Sequence, residues 1–179
     1  MRKELKLITI SVFAVSLALL GNAIDADAAA YIKFDGVDGE AVDKDHQAWS
    51  DLESFQHSIT RGDPSGDTTR QRASATLGDV VVTKELDKSS PKLAESILMG
   101  KVFPKVELHL ASSAGTYFTY ELTNVMVTSY SISGGADEMP MESFSLNYEA
   151  IKITYTEYGS DGKSKGKVEA TWKVEEGTA

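Results

Sequence analysis

There is no cysteine in this chain, so a disulfide framework, a thiolate metal centre and a cysteine nucleophile are all excluded. Basic residues are scarce: 18 Lys and Arg stand against 27 Asp and Glu, a net charge of -9 and a pI of about 4.8. Nucleic acid and anionic membrane surfaces are therefore poor partners, because phosphate binding rests on basic surface and counterion release. No apolar run reaches the ~20 residues that a stable transmembrane helix needs. Catalytic signatures are missing too: there is no G-x-S-x-G, H-E-x-x-H, P-loop or dinucleotide fingerprint. The three histidines, His46, His57 and His109, are scattered, and neither His46 nor His57 sits beside a serine nucleophile or a second ligand in a recognisable motif, while His109 lies far along the chain. They read as structural or exposed groups. No cofactor is expected, and a secreted hydrolase is disfavoured for want of an acid, base and nucleophile.

What the chain does have begins with Arg2, Lys3 and Lys6, followed by an uncharged apolar stretch from Leu7 to Leu20 and small residues at Gly21, Ala23, Ala26, Ala28, Ala29 and Ala30. This is the layout of a cleavable signal peptide, residues 1–30, with cleavage at Ala23, Ala28 or Ala30. Its removal takes three charges of each sign, which leaves the net charge unchanged and a single domain over residues 31–179.

The mature chain is organised around Leu77–Lys101, LGDVVVTKELDKSSPKLAESILMGK. Val80, Val81, Val82 and Thr83 favour a strand, since branching at Cβ suits a pleated sheet better than a helix. Ser90 then offers an N-cap hydroxyl and Pro91 fits the first helical position, where a missing N–H costs nothing. Leu93, Ala94, Ile97 and Leu98 make an apolar face, and Gly100 ends the helix, which predicts helix over 91–99. A helix this short must dock on a sheet. Aspartate at Ile97 or Leu98 is accordingly expected to unfold the subunit.

Elsewhere the pattern is strand and turn. Asp35 to Asp45 carries five acids, but their spacing does not match an EF-hand, and a Gly- and Asp-rich turn accounts for them. The ambiguous stretch from His46 to Ile59 reads as strand. Thr60 to Ala75 is a long polar loop with a basic island, Arg61, Arg70 and Arg72. Val106, Leu108 and Leu110 alternate cleanly with Lys105, Glu107 and His109, as do Phe118, Tyr120 and Leu122 with their neighbours, the mark of half-buried antiparallel strands. Val125 and Val127 share one face of a further strand, with Met126, Tyr130 and Ile132 on the other. Phe144, Leu146 and Tyr148 occupy even positions and Ile151, Ile153 and Tyr155 odd ones, so a β-bulge is expected at Glu149 and Ala150. Val168, Ala170, Trp172 and Val174 alternate in a last strand. Seven or more antiparallel strands with one short helix predict an all-β barrel or sandwich.

The order of these features resembles the haemolysin-coregulated protein (Hcp) family, the tube proteins of type VI secretion systems. YIKFDGVDGE at Tyr31, His46 and Trp49, the VVVTKELDKSSPKLAESILMGK corner, FPKVELHLA, ESFSLNYEAIKITY and the strand with Trp172 carry the likeness. It implies a compact two-sheet β-barrel with one helix, hexameric rings that stack into a hollow tube, and partners in a sheath, a spike protein and effector cargo. It implies no enzyme activity. Asp87, Lys88, Ser89, Ser90, Pro91 and Trp172 match the family's structural motif, and Thr60–Ala75 matches in position an extended loop that lies against neighbouring subunits. Arg61, Arg70 and Arg72 are thereby expected to meet acids of an adjacent ring, Asp137 or Glu138. The leader departs from the family, whose members leave the cytoplasm through the machine. It points to a secreted or periplasmic protein without a stable membrane anchor after cleavage, and to an alternative in which an Hcp-like fold serves outside the cytoplasm as a self-assembling or binding module.

Overall fold

A computed structural model describes residues 28–61 and 75–174 of the protein. Nearly all of the leader, and Arg70 and Arg72 of the basic loop, lie outside the described residues. The elements are β1 (Ala29–Phe34), β2 (Ser50–Leu52), β3 (Ser54–Gln56), β4 (Ile59–Arg61), β5 (Ala75–Leu77), β6 (Val80–Glu85), α1 (Ser90–Met99), β7 (Val102–Ser112), β8 (Gly115–Ser133), β9 (Met141–Asn147), β10 (Ala150–Tyr158) and β11 (Ser164–Lys173). The fold is all-β with one short helix, as the alternation predicts.

Nine strands form one antiparallel sheet in the order β2-β1-β7-β8-β9-β6-β3, with β10 and β11 branching from β8, while β4 and β5 pair as a separate ribbon. The two ends of that path, β2 and β3, are not paired with each other. They are consecutive along the chain, separated by Glu53, whose N–H bonds the Thr83 carbonyl. The sheet therefore wraps round on itself through a strand that changes partner, without a ladder between its edges.

The core lies inside this wrap, with Phe34 at its centre against Phe103 and Phe144, ring centroids 5.2 and 5.7 Å apart. Strand β8 decides where the layers part. Its first half pairs with β10 and its second half with β9. Between them Asn124 has φ 50, its side-chain amide donates to Glu149, and the Glu149 N–H bonds the Thr123 carbonyl. The inward side chains step from Tyr120 and Leu122 to Val125 and Val127 at this point, just as they step from Tyr148 to Ile151 on the facing chain. The expected bulge at Glu149 and Ala150 is thus a break between two strands, β9 and β10, that serve different halves of β8. A second irregularity between Val127 and Ser129 turns Tyr130 back toward the core, away from the face it was expected to share with Met126.

Helix α1 begins one residue earlier than expected, at Ser90, with Ser89 as N-cap and no side-chain cap bond. Both serine hydroxyls are already engaged elsewhere, as described below. Leu93 is fully buried and Ile97 partly so, but Leu98 is 89% exposed. At about 100° per residue Leu98 lies roughly 140° round from Leu93. The buried arc is completed by Ser90 and Ser96, the latter donating to the Leu93 carbonyl at 2.6 Å. The expectation that aspartate at Leu98 unfolds the protein is overturned by this placement. Gly100 closes the helix at φ 61, its N–H on the Ile97 carbonyl and the next N–H on that of Ser96. A Cβ there meets nothing within 4 Å, so the Gly100→Ala penalty is purely conformational. A loss of about 1 kcal/mol in urea unfolding is expected.

The last strand also differs from expectation. Of its apolar residues only Trp172 is among the described residues packed on the core, and Val168 is 73% exposed, because β11 pairs with β10 alone and no described residue covers Val168.

Candidate functional site

The corner between β6 and α1 is built on a buried ion network. Val80, Val82 and Lys84 share the inward parity of β6, and Glu142 has that of Phe144 and Leu146 on β9, so the ladder sets Lys84 opposite Glu142. Both are 0% exposed. Lys84 Nζ donates to Glu142 Oε1 at 2.6 Å, Asp87 Oδ1 at 2.7 Å and the Glu85 carbonyl at 3.0 Å, which uses all three of its hydrogens. Glu142 also accepts from the Ser90 hydroxyl at 2.9 Å and from Tyr130 O–H at 2.6 Å. Asp87 accepts from the Ser50 hydroxyl at 2.6 Å and from the Ser89 N–H at 2.8 Å as well as its hydroxyl. Burial pushes the Asp87 carboxyl up, but hydrogen bonds from Lys84, Ser50 and Ser89 together hold it below the usual range. Burial and the Glu142 carboxylate hold the Tyr130 phenol well above its usual value. Asp87, Ser89 and Ser90 of the sequence motif are therefore brought together, while Lys88 is exposed, Pro91 only starts the helix, and Trp172 lies on β11. Lys84 and Glu142 were not singled out from the sequence. Their parity, a charged residue at an inward position of each strand, was the available signal.

Two of the three histidines meet. The His46 imidazole, buried and stacked on Tyr31 with centroids 4.1 Å apart, has Nδ1 at 2.6 Å from Asp43 Oδ1 and Nε2 at 3.0 Å from His109 Nδ1. Trp49 packs on His109 at 4.4 Å. Asp43 is held below the usual carboxylate range, chiefly by the hydrogen bond from His46. The Thr116 hydroxyl stands 3.4 Å from His46 Nε2, an order of carboxylate, imidazole and hydroxyl. It does not make Thr116 a nucleophile, since the nitrogen that would take its proton is shared with His109 at closer range. His57 is elsewhere, 2.7 Å from the Tyr148 hydroxyl, and desolvation lowers its pKa.

The remaining features are surfaces. Arg61 ends the β4–β5 ribbon and is exposed. The ribbon and the face of β10–β11 enclose an apolar groove of about 310 Å³, lined by Ile59, Leu77, Ile151, Ile153 and Trp172 among others. Asp137 and Glu138 are exposed in the β8–β9 connection. Near the same connection a cleft of about 270 Å³ is lined by Glu40, Asp51, Glu53, Glu85, Asp87 and Met139. Burial, then the charges of Asp87, Asp43 and Glu53, raise the Asp51 pKa, and carboxylates dominate the described lining of this cleft. Leu98, Met99, Val102 and Met126 are all exposed, and Val102 pairs with Met126 across β7 and β8. Tyr155 and Val168 form a second exposed apolar pair, across β10 and β11.

Comparison with known proteins agrees with the fold. The family described as "Type VI secretion system effector, Hcp" matches residues 31–155. Protein hcp1 of Pseudomonas aeruginosa is 29% identical over 151 residues, 80% of this chain and 93% of that one. A solved type six secretion system protein superposes with a TM-score of 0.78 at 30% identity, covering 84% of this chain and 98% of the other. Hcp1 from Salmonella typhimurium shares the fold at a TM-score of 0.71 and 21% identity, over 85% of this chain and 98% of its own.

Proposed function

Because the chain belongs to the Hcp family of the type VI secretion system, we propose that it is a structural subunit of six-membered rings that stack into the inner tube and carry or accompany effectors, with sheath and spike as further partners. The observation that carries this reading is the match at a TM-score of 0.78 along nearly the whole length of a type six secretion system protein. Exposed apolar side chains at Leu98, Met99 and Val168, which the isolated subunit leaves uncovered, are consistent with assembly. Electron microscopy of the purified chain, with light scattering on a sizing column, tests it. Rings of six are expected, and a monomer at every concentration overturns it.

Arg61, Arg70 and Arg72 meet acids of an adjacent ring in this reading. Asp137 and Glu138, exposed in the β8–β9 connection, are the partners this reading assigns to them, with the neighbouring acidic cleft as further acidic surface. Each exposed pair contributes about 0 to 1 kcal/mol, repeated around the symmetry axis. Reversing charge at Arg70 and Arg72 together is expected to abolish stacking and leave single rings. Tubes of unchanged length from that variant would refute the contact.

The basic, apolar and small-residue order of the first thirty residues favours a second reading: export by a signal peptide and assembly outside the cytoplasm without a contractile machine. Strand β1 begins at Ala29, with Ala30 paired to both Leu52 and Leu110. Cleavage after Ala23 or Ala28 leaves that strand whole, and cleavage after Ala30 shortens it. Mass spectrometry of the mature N-terminus separates the two readings.

A further inference from the structure

We propose that the contact between His46 and His109 is an acid-sensitive latch, holding the β1–β2 connection, residues 35–49, against the β7–β8 sheet. Only one hydrogen fits between His46 Nε2 and His109 Nδ1, which are 3.0 Å apart. With Nδ1 of His46 donating to Asp43, two arrangements satisfy the pair. Neutral His46 accepts from His109 Nδ1–H, or an imidazolium at His46 donates to a neutral His109. Either way the pair holds at most one positive charge. A second proton sets two N–H groups against each other and breaks the contact.

The surroundings give the latch its direction. His46 faces Asp43 on its own connection, the Tyr31 ring stacked on it from β1 and Thr116 on β8, with Asp51 of β2 nearby. His109 senses Glu107 and Lys105 on β7, and it opens on a cleft that also holds Glu121 of β8, Lys152 of β10, and Lys167 and Glu169 of β11. Desolvation and the charge of His46 outweigh the attraction of Glu107, and His109 is lowered from 6.5 to about 4. The open state therefore takes the second proton near the ordinary imidazole value and the closed state does not until well below it. Closure is fully favoured above pH 6.5 and loses its advantage as the pH falls toward 4. The tip meets His109 through Trp49 and His46, while His46 also stacks on Tyr31 and Lys33 Nζ donates to the Ala48 carbonyl at 2.8 Å; Ala48 itself is held in the left-handed region at φ 62, a local strain that opening of the tip relieves.

Four amides inside the connection report its opening: Gly39 on the Ala48 carbonyl, Ala41 on that of Trp49, His46 on that of Asp43, and Trp49 on that of His46. Hydrogen exchange of the full chain, corrected for intrinsic chemistry, is expected to show their protection falling about tenfold between pH 7 and pH 5, below the ceiling of about 25-fold that linkage sets for a fully desolvated ring. Amides of the β7–β8 ladder keep theirs. His109→Gln, whose amide can donate to His46 but takes no proton, is expected to abolish the drop, and His57→Gln to retain it. Protection that does not change with pH, or a drop that survives in His109→Gln, overturns the proposal. Should His109→Gln fail to fold, imidazole titration of the unmodified chain by NMR still decides, because His109 titrating near 6.5 without any effect on the four amides refutes the latch.

Discussion

Lys84→Met is expected to destabilise the subunit by about 3 to 5 kcal/mol, the cost of leaving a buried carboxylate without its counter-ion. Lys84 and Glu142 are both fully buried, and Asp87, the second carboxylate on the ammonium, is mostly so. Removing the cation strands Glu142 with only the Ser90 and Tyr130 hydroxyls for support. The network joins β6, α1, β8 and β9, so the damage reaches every layer around the corner. Adding Glu142→Gln to Lys84→Met removes the stranded charge and is expected to recover a substantial part of the loss, which makes the pair strongly non-additive. Urea unfolding of both single variants and the double at fixed protein concentration measures this. A loss below about 1 kcal/mol for Lys84→Met would show that the interior accepts the unpaired carboxylate far more readily than its burial implies.

Leu93→Ala is expected to cost about 2 to 5 kcal/mol, since a fully buried side chain is removed from under a short helix that has little stability of its own. Leu98→Asp, five residues on, is expected to change stability by less than about 0.5 kcal/mol, because Leu98 faces solvent. Under the ring assembly proposed above, a folded chain that no longer forms rings is the expected result on a sizing column. An unfolded Leu98→Asp, or a Leu93→Ala of unchanged stability, would mean that the helix presents a different face to the sheet.

These two pairs of residues show where reading along the chain stops. The helix was legible from its Ser, Pro and Gly punctuation, yet its buried face was not. Leucine at 98 looked like core, while Ser90 and Ser96, which are small and satisfied by Glu142 and the Leu93 carbonyl, were the residues the sheet covers. Hydrophobicity ranks single residues, whereas burial depends on which arc of the helix meets its neighbour. The parity break near Glu149 was also legible, but not its cause, because Asn124 and Glu149 are 25 positions apart and only the pairing of β8 with both β9 and β10 brings them together. For β11, alternation correctly announced a strand and wrongly implied a covered face, since whether a strand has a second layer above it is a property of the sheet.

By itself the sequence determined what local physics controls: no thiol chemistry, an acidic surface, alternating antiparallel strands, one helix between Ser90 and Gly100, and the motif order that marks the family. The tertiary structure alone decided the long-range meetings. Ser90 and Glu142 are 52 positions apart, and His46 and His109 are 63 apart. Alternation says only whether a side chain points inward. Which residue it meets there is set by strand order and register, and those place a lysine between two carboxylates and one histidine against another.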